Sequence, residues 1–142
     1  AHIFGYFFTL TRATHDIVTY VGALETSPWI ILAVIMLGYI ILGCFMDQIA
    51  ILILTVPVVL PVIVSLGFDP IWFGVIVVVT AEVGMVTPPL GLNAFVVARY
   101  TRRPLTEIFA GILPHFWAHI LIIIVMCAFP SIITWLPSTM AR

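Results

Sequence analysis

Apolar residues run along this chain in long unbroken stretches, and the polar positions between them are few enough to name one by one. The stretches lack the two-residue alternation of barrel strands, so helices are the expected spanning element. Residues 3–10 are apolar but too short to span, and read as the end of a preceding helix. From Arg12 to Glu25 the charges Arg12, Asp16 and Glu25 stand against Ile17, Val18, Val21 and Leu24. That pattern predicts a short amphipathic helix at the membrane interface, closing a first unit over 1–28. Ser27-Pro28 has the form of an N-cap followed by a first-turn proline, which starts the next helix.

Between Trp29 and Leu66 only the patch Gly43-Cys44-Phe45-Met46-Asp47-Gln48 interrupts the apolar run. Two readings fit this second unit, 29–66. One is a pair of full transmembrane helices with a tight turn at Asp47. The other is a re-entrant hairpin whose tip lies at mid-membrane. As helices the arms 29–43 and 48–66 would measure about 22 and 28 Å against a hydrocarbon core of about 30 Å, so length alone does not choose. Pro57 and Pro61, on one face of the second arm, are expected to bend it. Gly67-Phe68-Asp69-Pro70 reads as a turn in which Asp69 caps the following helix.

The third unit, 67–103, contains the sharpest anomaly. Residues 84–91 read Gly-Met-Val-Thr-Pro-Pro-Leu-Gly inside a stretch apolar enough to cross a membrane. Adjacent prolines cannot continue a helix, because each lacks an N–H and clashes with the preceding turn. Hydrocarbon offers no water to the carbonyls so freed, and a broken backbone at that depth is tolerated only inside protein or beside a polar cavity. Such breaks commonly hold an ion or a substrate. The expectation is a transmembrane helix split into 71–83 and 92–100, with the break over 84–91. The last unit, 104–142, reads as an interfacial segment at 105–110 and a final transmembrane helix over 111–136, with Trp135 in an aromatic belt.

Composition turns these segments into a class. The 142 residues are 63% hydrophobic and 8% charged. Soluble domains carry about 25% charged residues, so this is an integral membrane protein lying in the lipid bilayer. Lysine is absent, the arginines lie outside the long apolar runs, and no basic stripe suggests nucleic acid. Cys44 and Cys127 sit within apolar runs and are expected as buried small hydrophobes. The chain opens Ala-His-Ile-Phe with no charged n-region, which reads as part of a longer polypeptide. Arg99, Arg102 and Arg103 place the 100–104 loop in the cytoplasm by the positive-inside rule, and hence the hairpin mouth and the C-terminus outside. The isolated Arg12 and Arg142 would then fall on the outer side.

Few residues could carry chemistry. Asp47, alone in a nearly uncharged stretch, is costly at mid-membrane, by about 3 kcal/mol, and functional there. In a surface loop it would mean little. Glu82, just before the break, could hold a cation, carry a proton or satisfy freed backbone. Asp69 is most simply a surface cap. Thr87 is the hydroxyl within the break; beside exposed carbonyls it suits a hard cation such as Na⁺. Gly84 and Gly91 let the backbone turn and approach closely. Asn93 opens the second half-helix, whose N-terminus presents N–H groups to an anion. His115 and His119 have the i, i+4 spacing of a haem or metal pair, but packing histidines are the simpler reading, as for His2 and His15. No phosphate loop, nucleophile elbow or paired-cysteine metal motif is present.

Four motifs follow one another in order: Gly43-Cys-Phe-Met-Asp47, Pro57-Val-Val-Leu-Pro61, Gly67-Phe-Asp-Pro70-Ile-Trp-Phe-Gly74 and Gly84-Met-Val-Thr-Pro-Pro-Leu-Gly91-Leu-Asn93. Together they resemble the large membrane subunit, the M or DctM-type permease, of tripartite ATP-independent periplasmic (TRAP) transporters. The close from Phe129-Pro130 to Trp135-Leu136-Pro137 is similar too. The resemblance covers essentially all 142 residues and about the C-terminal third of a typical subunit.

The resemblance implies an all-α, elevator-type secondary transporter of the ion-transporter superfamily, built from two inverted repeats. Each repeat contributes a re-entrant hairpin and a broken helix. It favours the hairpin reading of 29–66, with the Gly43–Asp47 tip meeting the 84–91 break around Na⁺. It implies Gly43, Asp47, Gly84, Thr87, Pro88, Pro89 and Gly91 as the sodium-side site, mostly through carbonyls, with Na⁺ held by Gly43, Gly84, Thr87 and Pro88. Glu82 and Asn93 are further ion or substrate candidates. Family members often carry Asn in the half-helix before the break, where this chain has Thr80-Ala81-Glu82.

It also implies an organic acid of the C4-dicarboxylate or sialic-acid type as substrate and Na⁺ as coupling ion, with no other cofactor. The partners implied are a periplasmic substrate-binding protein (P-type), a small membrane subunit (Q-type) and the remainder of the M subunit, in a bacterial inner membrane. The alternatives are a proton-coupled carrier or channel using Glu82 and Asp47, and a membrane enzyme with a His115/His119 metal.

Overall fold

The computed structural model describes residues 13–23, 26–88 and 91–140. These residues are helical, with no strand among them. Helix α1 spans Ala13–Ala23. The hairpin arms are α2 (Pro28–Phe45) and α3 (Gln48–Ser65), joined by Met46 and Asp47. Helix α4 covers Pro70–Val86, α5 Leu92–Thr101, α6 Leu105–Ala128 and α7 Ser131–Met140. By length and hydropathy α2, α3 and α6 are each able to cross a membrane, and α4 is a shorter apolar helix. The chain is a membrane-embedded protein, all-helical in its described elements.

The hairpin arms are 18 residues each, or about 27 Å. Ser27 stands at the N-cap of α2 ahead of Pro28, although its side chain makes no capping bond. The α3 helix continues through Pro57 and Pro61. It ends in a Schellman motif: the Phe68 N–H donates to Ile63 O (3.2 Å) and the Gly67 N–H to Val64 O (3.0 Å). Gly67 holds the positive φ (86°) that this ending requires and that a side chain would resist. Two residues on, the Asp69 carboxylate accepts the Trp72 N–H (2.8 Å) and Pro70 opens α4, as their order in the sequence predicts.

Helix α2 packs far more closely on α4 than on its hairpin partner α3. Between α2 and α4 lie Leu32, Met36, Tyr39, Phe73, Ile76, Val77 and Ala81, all buried. Thr80 is fully buried among them and returns its hydroxyl to Ile76 O (2.8 Å). The link from α2 to α3 is polar. The Tyr39 and Thr55 hydroxyls are 2.7 Å apart, and Thr55 Oγ1 is 2.8 Å from Ile51 O. Each hydroxyl has one proton, so Tyr39 donates to Thr55 and Thr55 to the carbonyl.

At the open end of the hairpin, Trp29, Phe68 and Trp72 form an aromatic cluster. Phe68 stacks on Trp72 with centroids 5.3 Å apart, and Trp29 meets both edge-on. Trp72 Nε1 donates to Met126 O (3.0 Å), tying the start of α4 to the end of α6. Both hairpin ends therefore lie at one level, beside the start of α4.

Two boundaries differ from the sequence reading. The expected break at 84–91 starts later, because α4 continues through Gly84, Met85 and Val86. A glycine weakens a helix without ending it, whereas Pro88 bars helical backbone at the residue before it. Thr87 accordingly sits at φ −90°, ψ 137°. Instead of an interfacial segment at 105–110 and a helix over 111–136, the chain forms the continuous α6 and a separate α7. Pro130 forces the change: Phe129 before it leaves the helical region (φ −126°, ψ 72°).

At their far ends α2 and α4 cross in direct backbone contact. A Cβ added at Gly43 would lie 2.7 Å from Ala81 O and 2.7 Å from Gly84 Cα. One added at Gly84 would lie 2.5 Å from Ile40 O and 2.6 Å from Gly43 Cα. Both residues are buried, and the obstacle is main chain that cannot swing aside. Gly43→Val or Gly84→Val should therefore destabilise the protein by at least about 1–3 kcal/mol, the usual cost of overpacking. Gly38→Ala, where a Cβ meets nothing within 4 Å, should instead be neutral or stabilising by up to about 1 kcal/mol. Thermal melts of the detergent-solubilised protein compare the three variants.

Candidate functional site

The glycine crossing brings four helix ends together. Helices α2 and α4 end beside it at Phe45 and Val86; α3 and α5 begin just after it, at Gln48 and Leu92. A helix end leaves its last carbonyls without intrahelical partners, and hydrocarbon offers none. Leu42 O receives the Met46 N–H (2.9 Å). At the α4 end, the Thr87 N–H donates to Gly84 O (3.0 Å) instead of continuing the helix to Val83 O. The Thr87 hydroxyl takes that vacated place and donates to Val83 O at 2.6 Å. Its proton is thereby committed to the helix, while the lone pairs of Oγ1 stay available to a cation or donor.

Gly91 holds the other side of the break. It caps α5 at φ 50°, ψ 73°, and its carbonyl accepts the Ala94 N–H (2.8 Å). A Cβ there would meet Thr87 O and the Phe109 ring, each at 3.1 Å. Cys44 Sγ lies 3.3 Å from Ile40 O and 3.8 Å from Pro88 O, bridging hairpin tip and break. The C-terminal ends of α2 and α4 carry partial negative charge and the N-terminal ends of α3 and α5 partial positive charge, each about half an elementary charge. A cation fits the carbonyl side of this arrangement and an anion the N–H side.

Gly43, Gly84, Thr87, Pro88 and Gly91 thus gather at one place. Pro89 lies outside the described residues. Asp47 is exposed at the hairpin tip and caps α3, its Oδ2 accepting the Ile49 N–H at 3.0 Å. Asn93 is exposed in the first turn of α5. Glu82 is exposed on the outer stripe of α4 with Ile71, Val75 and Val78, on the other side of the helix from Gly84. The structure therefore gathers the backbone elements and leaves the three polar side chains around them.

Three neighbours escaped the sequence reading. Gln48 Nε2 donates to Val78 O (3.1 Å), pinning the start of α3 to α4. A lone amide in the first turn of an apolar helix was the available signal. Cys44 takes part in the contact between tip and break, which a burial argument alone does not reveal. Phe109 walls Gly91 and, with Thr87, Pro88, Thr106, Leu113 and Phe116, lines a cavity of about 430 Å³ between the break and α6. His115 and His119 pack edge-to-face at 4.3 Å, with His119 Nδ1 3.1 Å from His115 O. Among the described residues no group of three or more His, Cys, Asp or Glu side chains could hold a metal ion.

A hairpin tip locked through glycine onto a Thr-Pro-Pro break can be compared with known families. The family described as "Tripartite ATP-independent periplasmic transporter, DctM component" matches residues 1–132. The chain belongs to the DctM family. It is 36% identical over 138 residues to the C4-dicarboxylate TRAP transporter large permease protein DctM of Pseudomonas aeruginosa, covering 97% of this chain and 31% of that one. It is 29% identical over 135 residues to the sialic acid TRAP transporter large permease protein SiaM of Vibrio cholerae (95% and 32%). A third relative is the isethionate TRAP transporter permease protein DctMQ of Oleidesulfovibrio alaskensis, 32% identical over 138 residues (97% and 21%). The chain thus spans a third or less of the length of these DctM-family relatives. The family and these relatives are described as TRAP transporter components.

The cap geometry makes a test of Asp47 possible. Asp47→Ala should cost about 1 kcal/mol of stability, whereas Asp47→Asn should keep most of it, because asparagine caps comparably well. Parallel melts of the two variants read the difference.

Proposed function

We propose that this chain forms the ion-site portion of a Na⁺-coupled permease. With the rest of its M subunit it takes up an organic acid across the bacterial inner membrane. The observation that carries this reading is the Gly43–Gly84 contact, which sets the tip of the hairpin against the break in α4. Na⁺ sits among the carbonyls of Gly43, Gly84 and Pro88 and the Thr87 oxygen. Oxygen ligands from backbone and hydroxyl suit such a hard cation, and the helix C-terminal ends add negative potential. Asp47, Pro89, Gly91 and Asn93 border the ion or the substrate, while Glu82 faces outward from α4.

The hairpin is re-entrant in this proposal. Arms of about 27 Å fit either a full span or a hairpin, so the likeness to the family carries this choice; α5 continues beyond the break for 10 residues before Arg102 and Arg103. The 100–104 loop is cytoplasmic, and the hairpin mouth and C-terminus are periplasmic. A second, inverted repeat completes the substrate site, and the transport motion is of the elevator type. A P-type binding protein delivers the substrate, and a Q-type small subunit braces the permease. The names of the relatives point to C4-dicarboxylates, sialic acid or isethionate as the substrate class.

Uptake by the full-length permease with its partners, at fixed pH and without a proton gradient, tests the coupling ion. Uptake should follow the sodium gradient; uptake indifferent to sodium but driven by a proton gradient would favour a Glu82/Asp47 relay instead. Thr87→Ala should raise the sodium concentration giving half-maximal uptake, and Thr87→Ser should restore it. A sodium dependence identical to the parent in Thr87→Ala would remove Thr87 from the ligand set.

A further inference from the structure

Glu82 stands where a carboxylate is hard to keep. Along α4 it lies 10 residues, about 15 Å, from Trp72 in the aromatic cluster. With the exposed Trp29 of that cluster set at the membrane–water interface, where tryptophan concentrates, Glu82 falls close to the middle of a hydrocarbon layer about 30 Å thick. It is exposed, and among the described residues its side chain has neither an ion-pair nor a hydrogen-bond partner. The described arginines Arg99, Arg102 and Arg103 lie beyond the break, at the end of α5 and in the loop after it. The rest of the stripe, Ile71, Val75 and Val78, is large and apolar. Lipid cannot cover a carboxylate at this depth, and water does not favour the three aliphatic side chains beside it.

One kind of surface satisfies both: an apolar helix carrying a single cation. We propose that the outer face of α4 is an intramembrane docking surface for a transmembrane helix from the part of the permease outside these 142 residues. That helix presents an arginine or lysine level with Glu82. The inference rests on the reading of this chain as part of a longer permease, in keeping with relatives three or more times its length. The aliphatic stripe supplies the packing, and the ion pair fixes the register of the two helices, the best-attested use of a buried charge.

The full-length permease carrying Glu82→Cys, reconstituted in phosphatidylethanolamine–phosphatidylglycerol vesicles, reports what covers the position. Labelling is scored as the increment over the parent, which retains Cys44 and Cys127. Neither a lipid-soluble maleimide nor a membrane-impermeant methanethiosulfonate should label residue 82 until SDS unfolds the protein. Labelling by the maleimide alone would place the face in lipid, and labelling by the charged reagent would place it in an aqueous cavity; either overturns the proposal. Melting of two further variants tests the cation. Glu82→Gln should lower the midpoint, and Glu82→Lys should lower it further by setting two cations together. An unchanged or raised midpoint in both would also overturn it. Sodium-driven uptake by the parent is measured alongside, so that failure of the docking surface and failure of the transport reading are told apart.

Discussion

Everything near the break depends on two α-carbons that touch. Gly43 and Gly84 let α2 and α4 meet main chain to main chain, closer than any side chain allows. Small residues serve this purpose in membranes, where apolar burial cannot drive helices together and close packing must. The contact falls two residues before both helices stop. It therefore fixes more than an angle between helices: it sets two frayed ends beside each other, where each can compensate for the other.

That compensation follows from the absence of water. Thr87 gives its amide to one carbonyl and its hydroxyl to the next, so the end of α4 is closed by a single residue. Asp47 does the corresponding work for the N–H groups at the start of α3, and Gly91 turns the chain into α5. On the side toward α6, Thr87 and Pro88 face apolar walls at Phe109 and Phe116.

Much of this was legible in the sequence, and the limits have physical causes. Pro88 and Pro89 announce a break because a missing N–H is a covalent fact, and Gly67 and Asp69 announce a turn for similarly local reasons. The extent of the break was misjudged because Gly84 looked like part of the punctuation. It is a helical residue whose missing side chain serves a partner 41 positions away in the sequence. No periodicity encodes that pairing; only the resemblance to TRAP permeases brought tip and break together in advance. The continuity of α6 was missed because 105–110, with Thr106 and Glu107, reads as an interfacial segment of its own; the helix runs on through Gly111, and Pro130 ends it. Gln48 was passed over because one amide beside a long apolar run gives no hint of the carbonyl it will find.

The aromatic cluster at the hairpin mouth changes what the glycine contact can permit. Trp29, Phe68 and Trp72 fasten both ends of the hairpin to the start of α4, and Gly43 fastens its tip to the other end of the same helix. A beam pinned at both ends does not hinge in the middle without giving up a pin. Any displacement that keeps both pins carries α2 and α4 together as one stiff body. Slack is left to Met46-Asp47 and to Thr87-Pro88, where helical hydrogen bonding lapses. The hairpin tip and the end of α4 would accordingly move together, and only those few residues could part them.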